Sequence, residues 1–186
     1  MTTPRERYRA QVRAEIKEKA WEQIAASGAP GLSLNAIAKQ LGMTGPALYR
    51  YFASRDELIT ELIREAYGSL ETAVDAAGET GPAGLAGALR TWALADRQRY
   101  FLMYGTPVPG YHAPEDTRET ARRIMARLVA ACAQAGPGAE ARALRFWTRL
   151  HGVLSLELAG HFAGMDLDPA ELYAAEVRSL EQPELP

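Results

Sequence analysis

The chain has 186 residues, 47% of them hydrophobic and 24% charged, with a net charge of −2; this is ordinary globular composition and excludes the disordered and fibrous classes. A single cysteine, Cys132, excludes an internal disulfide and suits a reducing compartment. No apolar run approaches the roughly 20 residues that span a bilayer, and the start Met1-Thr2-Thr3-Pro4-Arg5-Glu6 has no apolar signal core, so a cytoplasmic protein with no membrane partner is expected.

Apolar spacing is helical nearly everywhere and no stretch alternates with period two, so the expected class is all-α, with about nine helices. The first helix runs over 5–27, its core positions Val12, Ile16, Ala20 and Ile24 recurring every fourth residue, and Gly28, Pro30 and Gly31 end it. Arg5, Arg9 and Arg13 share one side of it. They form either an arm that reaches DNA or a solvated helix end interleaved with Glu6 and Glu15. Ser33 is an N-cap for a short second helix whose buried side is Leu34, Ile37, Ala38 and Leu41. Gly42 stops it. Thr44 caps a third helix of barely two turns, with Pro46 tolerated in its first turn and Leu48 and Phe52 as inward anchors. That spacing turns Tyr49 and Arg50 outward.

A Ser54-x-x-Glu57 capping box opens a fourth helix over 54–77. Its two apolar stripes, Leu58, Leu62, Ala66 and Ile59, Ile63, Tyr67, imply two packing neighbours. Gly78 to Gly84, with Pro82, is the first boundary candidate. Helical patterns resume over 84–105, 114–135, 138–163 and 168–180, and the tail 182–186 reads as frayed. The expected organisation is a three-helix head over 1–55, the linking fourth helix, and a helical-bundle body over 78–186. Residues 1–55 carry nine Lys or Arg against four acids, a surplus of +5 that leaves −7 for the rest of a chain of net charge −2. A basic head on an acidic body suits phosphate binding, although charge runs are usually solvated faces.

Two short helices joined by a tight Gly-containing turn and packed on a longer first helix form a helix-turn-helix layout. The run from Leu34 to Leu58, above all Leu48-Tyr49-Arg50-Tyr51-Phe52 followed by Ser54-Arg55 and Leu58, resembles the TetR-family signature, strongly over about residues 10–65. The resemblance implies a transcriptional regulator that grips double-stranded operator DNA as a homodimer and answers to a small-molecule effector. It implies backbone contacts from Ser33, Thr44, Tyr49, Tyr51 and Arg55, and base-edge contacts from Asn35, Gly45, Pro46 and Ala47. One departure matters: Gly45-Pro46-Ala47 offers no side-chain donor or acceptor at the reading tip, so Asn35 and Arg50 are the candidates for polar contacts to purine edges.

In the body, large apolar and aromatic side chains recur at helical spacing, which reads first as core. Tyr111-His112, after the interruption at 106–110, adds polar tips of the kind that orient a ligand. The segment Trp147-Thr148-Arg149-Leu150-His151-Gly152 resembles the Trp-His-Gly class of TetR-like C-terminal domains. On these grounds Trp92, Phe101, Tyr104, Tyr111, Met125 and Trp147 are the expected pocket lining, for a hydrophobic or amphipathic ligand. The helix over 138–163 is apolar on more than one face, which makes His151, Leu154, Leu158, Phe162 and Leu172 the expected dimer contacts. Glu157 and His161 stand i, i+4 with Asp166 nearby, but scattered histidines and no close ligand cluster favour a plain polar pair over a metal site. No phosphate loop or hydrolase elbow is present, so no cofactor and no enzymatic activity are expected. Three readings remain: a ligand-released repressor, an activator without effector release, and a helical small-molecule binder or enzyme whose front helices are structural.

Overall fold

The computed structural model describes residues 3–134 and 136–181; the tail 182–186 lies outside them. Among the described residues the chain forms nine α-helices and no strand: α1 (Pro4–Ser27), α2 (Leu34–Gln40), α3 (Gly45–Tyr49), α4 (Arg55–Ala77), α5 (Gly81–Ala95), α6 (Arg97–Tyr104), α7 (Glu115–Ala133), α8 (Ala139–Leu158) and α9 (Pro169–Glu181). The all-α class matches the expectation.

Local chemistry sets the boundaries. A capping box starts α1, Thr3 accepting from Glu6 N while Glu6 accepts from Thr3 N, and Gly28 ends it at φ 72°, a conformation that favours glycine. At α4, Ser54 Oγ accepts from Glu57 N at 3.0 Å. The return bond differs from the expected box: Glu57 Oε2 accepts from Ala53 N, at 2.6 Å, one residue earlier. The helix expected over 84–105 is two. Asp96 Oδ1 accepts from Gln98 N and Arg99 N, so an internal N-cap restarts the chain as α6. The helix expected to reach residue 163 ends at Leu158.

Two hydrophobic cores result. The first joins Val12, Ile16, Ile24, Ile37, Leu48, Phe52, Leu58, Ile59 and Leu62 from α1 to α4; burying each aliphatic side chain is worth about 1.5–3 kcal/mol. The second joins Leu70 and Val74 of α4 to α5, α6, α7, α8 and Tyr173 of α9. The two neighbours that α4's apolar stripes implied therefore follow one another along the helix. Its first half belongs to the head and its second half to the body. Leu102 of α6 is buried in the head core, where Val108 and Tyr111 also pack. Tyr111 Oη meets Thr60 Oγ1 at 3.2 Å, and Arg64 pairs with Asp116 at 2.7 Å. The α6–α7 connection is thus pinned to the head half of α4.

Candidate nucleic-acid interface and effector cavity

The head's outer surface is what its core leaves over. Leu48 and Phe52 are fully buried, and this turns out Tyr49, 45% exposed, with Arg50, also exposed. Ser33 Oγ accepts from Ala36 N and Thr44 Oγ1 from Ala47 N, each at 3.3 Å. Both hydroxyls act as N-caps worth about 1 kcal/mol, and each keeps its own proton to donate. Gly45, Pro46 and Ala47 form the first turn of α3. Exposed Asn35 of α2 stands beside them: a Cβ added to Gly45 would lie 3.6 Å from Asn35 Oδ1. The bare tip of α3 therefore has a polar side chain next to it, supplied by α2.

Three arginines bond within the head. Arg55 lies across the α1–α2 connection, Nε donating to Leu32 O at 3.1 Å and Nη2 to Ala29 O at 2.8 Å and Pro30 O at 3.3 Å. This internal clamp holds Nε and Nη2, with Ala29 O also accepting from Leu32 N at 3.2 Å, while Nη1 lies 3.7 Å from Asp56 Oδ1. Arg13 donates to Tyr51 O at 2.5 Å and to Glu61 at 3.2 Å, with its guanidinium 4.1 Å from the centre of the Phe52 ring. Arg9 reaches Arg50 O at 3.3 Å and lies over the Tyr51 ring. Neither reading of the basic stripe anticipated this for Arg9 and Arg13: both hold the end of α3 against α1. Tyr51 is half-buried against the head core, under Arg9. Exposed Asn35, Thr44, Pro46, Tyr49 and Arg50, with half-buried Ser33, remain on one connected stretch, from the start of α2 to the end of α3.

In the body an apolar cavity of about 330 Å³, counted out to its mouth, lies between α4 (Leu70, Val74), α5 (Leu85, Ala86, Leu89), α7 (Ile124, Leu128) and α8 (Phe146, Trp147, Leu150). Its enclosed part is only about 20 Å³, room for about one water, so a larger ligand requires the lining side chains to move. Of the expected lining only Trp147 is there. Trp92 is buried and donates Nε1–H to Ser69 Oγ at 2.9 Å, Met125 packs on the body core, and Tyr111 belongs to the head contact described above. The aliphatic residues that do line the cavity look in sequence like any core positions, so no motif could have singled them out.

Phe101 and Tyr104 instead join an aromatic cluster beside the cavity. His151 sits 4.4 Å from Tyr104, 4.2 Å from Trp147 and 5.5 Å from Tyr100, centroid to centroid, and Tyr67 closes on Tyr104 at 6.4 Å. Burial pushes the His151 imidazole down to about 4, and pushes the phenols of Tyr67, Tyr100 and Tyr104 up. All four are uncharged at neutral pH. Glu157 pairs with Arg90 at 2.6 Å, His161 is exposed, and no cluster of three metal-ligating side chains occurs among the described residues.

Of the expected dimer contacts, two are taken up within the protomer. His151 belongs to this cluster and Leu154 is fully buried in the protomer's own core. Leu158, Phe162 and Leu172 are partly buried against it. The apolar side chains that α8 does present outward are Leu144, 59% exposed, and Leu156, 45% exposed, with exposed Thr148 and Gly152 at four-residue spacing between them. Met165 and Leu167, on the connection to α9, are exposed as well.

Two family models match the chain. The one described as "Bacterial regulatory proteins, tetR family" matches residues 16–62, and the one described as "Tetracyclin repressor-like, C-terminal domain" matches residues 82–180. The HTH-type transcriptional regulator Rv1816 of Mycobacterium tuberculosis is 35% identical over 92% of this chain and 92% of its own length. Among solved structures, SCO4313, described as a regulatory protein, is 58% identical and superposes with a TM-score of 0.90 over 97% of this chain and all of its own. A Rhodococcus sp. RHA1 protein is 28% identical, with a TM-score of 0.76 over 90% of this chain and 92% of its own. No helix among the described residues is long and apolar enough to cross a membrane.

Proposed function

Since the chain belongs to the TetR family of bacterial regulators, we propose that this helix-turn-helix transcriptional regulator is a repressor released from operator DNA by an apolar or amphipathic ligand. The observation that carries the DNA half is the stretch from α2 to the end of α3. The head core consumes Leu48 and Phe52, and what is left outside is two cap hydroxyls, Tyr49, Arg50 and Asn35. Hydroxyl donors and an exposed arginine suit phosphates and base edges. Release is supported by α4, which lines the cavity through Leu70 and Val74 and builds the head core through Leu58 to Ile63. A ligand that shifts the second half of α4 moves the head with it.

Two heads are needed to read two half-sites, and the outward stripe Leu144, Thr148, Gly152, Leu156 is the surface we assign to pairing of two copies. Gly152 has open space where a Cβ would stand, so Gly152→Arg leaves the protomer intact. Light scattering on this variant is expected to return half the mass of the wild-type protein; an unchanged mass would remove α8 from the interface.

The central test is selection of a preferred duplex from random DNA, followed by binding in graded salt. A recovered near-palindrome, bound with affinity that falls steeply with salt and lost when a ligand raises the protein's melting temperature, is the expected outcome. No enrichment over the starting pool would reject the DNA reading; binding indifferent to every stabilising ligand would reject release.

A further inference from the structure

Trp147 belongs to two environments at once. It lines the apolar cavity together with Phe146 and Leu150, and its ring lies tilted 4.2 Å from His151 and edge-on 6.0 Å from Tyr104. Behind it, His151 is held at one edge: Nδ1 meets the Tyr100 hydroxyl at 2.9 Å, and that hydroxyl meets Ser155 Oγ at 2.8 Å. The other nitrogen, Nε2, is buried with no hydrogen-bond partner, a condition that native interiors rarely tolerate without a use.

The hydroxyl chain has two directions, and the Tyr100 hydroxyl also reaches His151 O at 3.3 Å. With Ser155 donating to Tyr100 and Tyr100 to Nδ1, Nε2 carries the proton and donates; reversed, Nε2 is a bare acceptor. A ligand hydroxyl satisfies both cases because it donates and accepts. A carboxylate prefers the protonated ring, which burial disfavours, and a hydrocarbon satisfies neither.

We propose that Trp147 is the wall between the cavity and His151, and that the effector is an apolar molecule ending in a hydroxyl, its body in the cavity and its head on His151 Nε2. The proposal rests on the reading of the cavity as the effector site. Trp147 is only half-buried and must turn aside for the head to pass, while the tight aliphatic lining gives way around the ligand's body.

The test is calorimetric titration of the whole chain with butylbenzene, phenylbutanol and phenylbutyrate. The wild-type protein is expected to bind phenylbutanol about tenfold more tightly than butylbenzene, the worth of one buried hydrogen bond. His151→Phe erases that preference and keeps butylbenzene binding. Butylbenzene binding with no preference for the alcohol, a preference that survives in His151→Phe, or tighter binding of phenylbutyrate than of phenylbutanol overturns the hydroxyl assignment while the cavity reading stands. Failure of all three probes to bind overturns both. Should His151→Phe not fold, nitrogen-labelled histidine in the wild-type protein decides the matter. Its Nε2 resonance moves with phenylbutanol and stays with butylbenzene, and equal movement with both rejects the proposal.

Discussion

Arg55→Ala will destabilise the head by about 2–4 kcal/mol, the cost of removing a charged fork from three carbonyls. The three acceptors, Ala29 O, Pro30 O and Leu32 O, belong to the connection that delivers Ser33 to the start of α2. Ala29 and Leu32 are themselves buried, so water does not simply replace the lost donors. A fall in Tm of roughly 5–12 °C is expected, together with equal loss of binding to cognate and scrambled DNA. Arg55→Lys recovers little of this, because an ammonium cannot fork across three acceptors. Arg50→Ala should behave in the opposite way. Its side chain is exposed, so Tm stays within about 1 °C, while discrimination between operator variants falls about tenfold. Thermal melts and competition binding on both variants check the contrast. An Arg55→Ala protein that melts with the wild type and binds DNA weakly would restore Arg55 to the phosphate backbone.

Acidification from pH 6.5 to about 4 will remove on the order of 3 kcal/mol of stability through His151 alone. Its imidazole titrates near 6.5 in the unfolded chain and at about 4 in the fold. Between those values only the unfolded chain holds the proton. The stabilisation is therefore complete above pH 6.5 and is lost as pH falls toward 4. The titratable groups packed against the ring are Tyr100 and Tyr104 of α6, with Tyr67 of α4 beyond Tyr104, and burial pushes all three phenols up. Carboxylates drawn down by partners, such as Glu71 beside Arg123, add their effect only below about pH 4.5. The window from 6.5 to 4.5 thus isolates His151. Denaturant midpoints measured across it should fall for the wild type and lie flat for His151→Phe. Parallel slopes in the two proteins would place the ring in contact with water.

Sequence reading succeeds where one side chain's role follows from its neighbours along the same helix. Val12, Ile16, Ala20 and Ile24 recur at the helical period and are buried; Ser33, Thr44 and Ser54 sit where an N-cap must be and bond as caps do. It falters at Asp96, which inside a continuous apolar pattern looks like one polar residue on a long helix. Periodicity survives the restart there because α5 and α6 pack on the same core. It falters again at arginine. Arg9, Arg13, Arg50 and Arg55 are equivalent in composition, and only the position of free carbonyls tells a clamp from an exposed side chain.

The fold class, the order of the helices, the helix-turn-helix and the membership of the TetR family were all determined by the sequence alone. The first three rest on local spacing and capping, and the family on the resemblance of the run from Leu34 to Leu58 to the TetR signature; both are written in consecutive residues. The tertiary structure decided the rest. It turned Arg55, Arg13 and His151 inward, buried Leu154 while exposing Leu144 and Leu156, and assembled the cavity from aliphatic and aromatic side chains on four helices. Those outcomes depend on which groups from distant parts of the chain compete for the same carbonyl, ring or void, and no pattern along one helix records that competition.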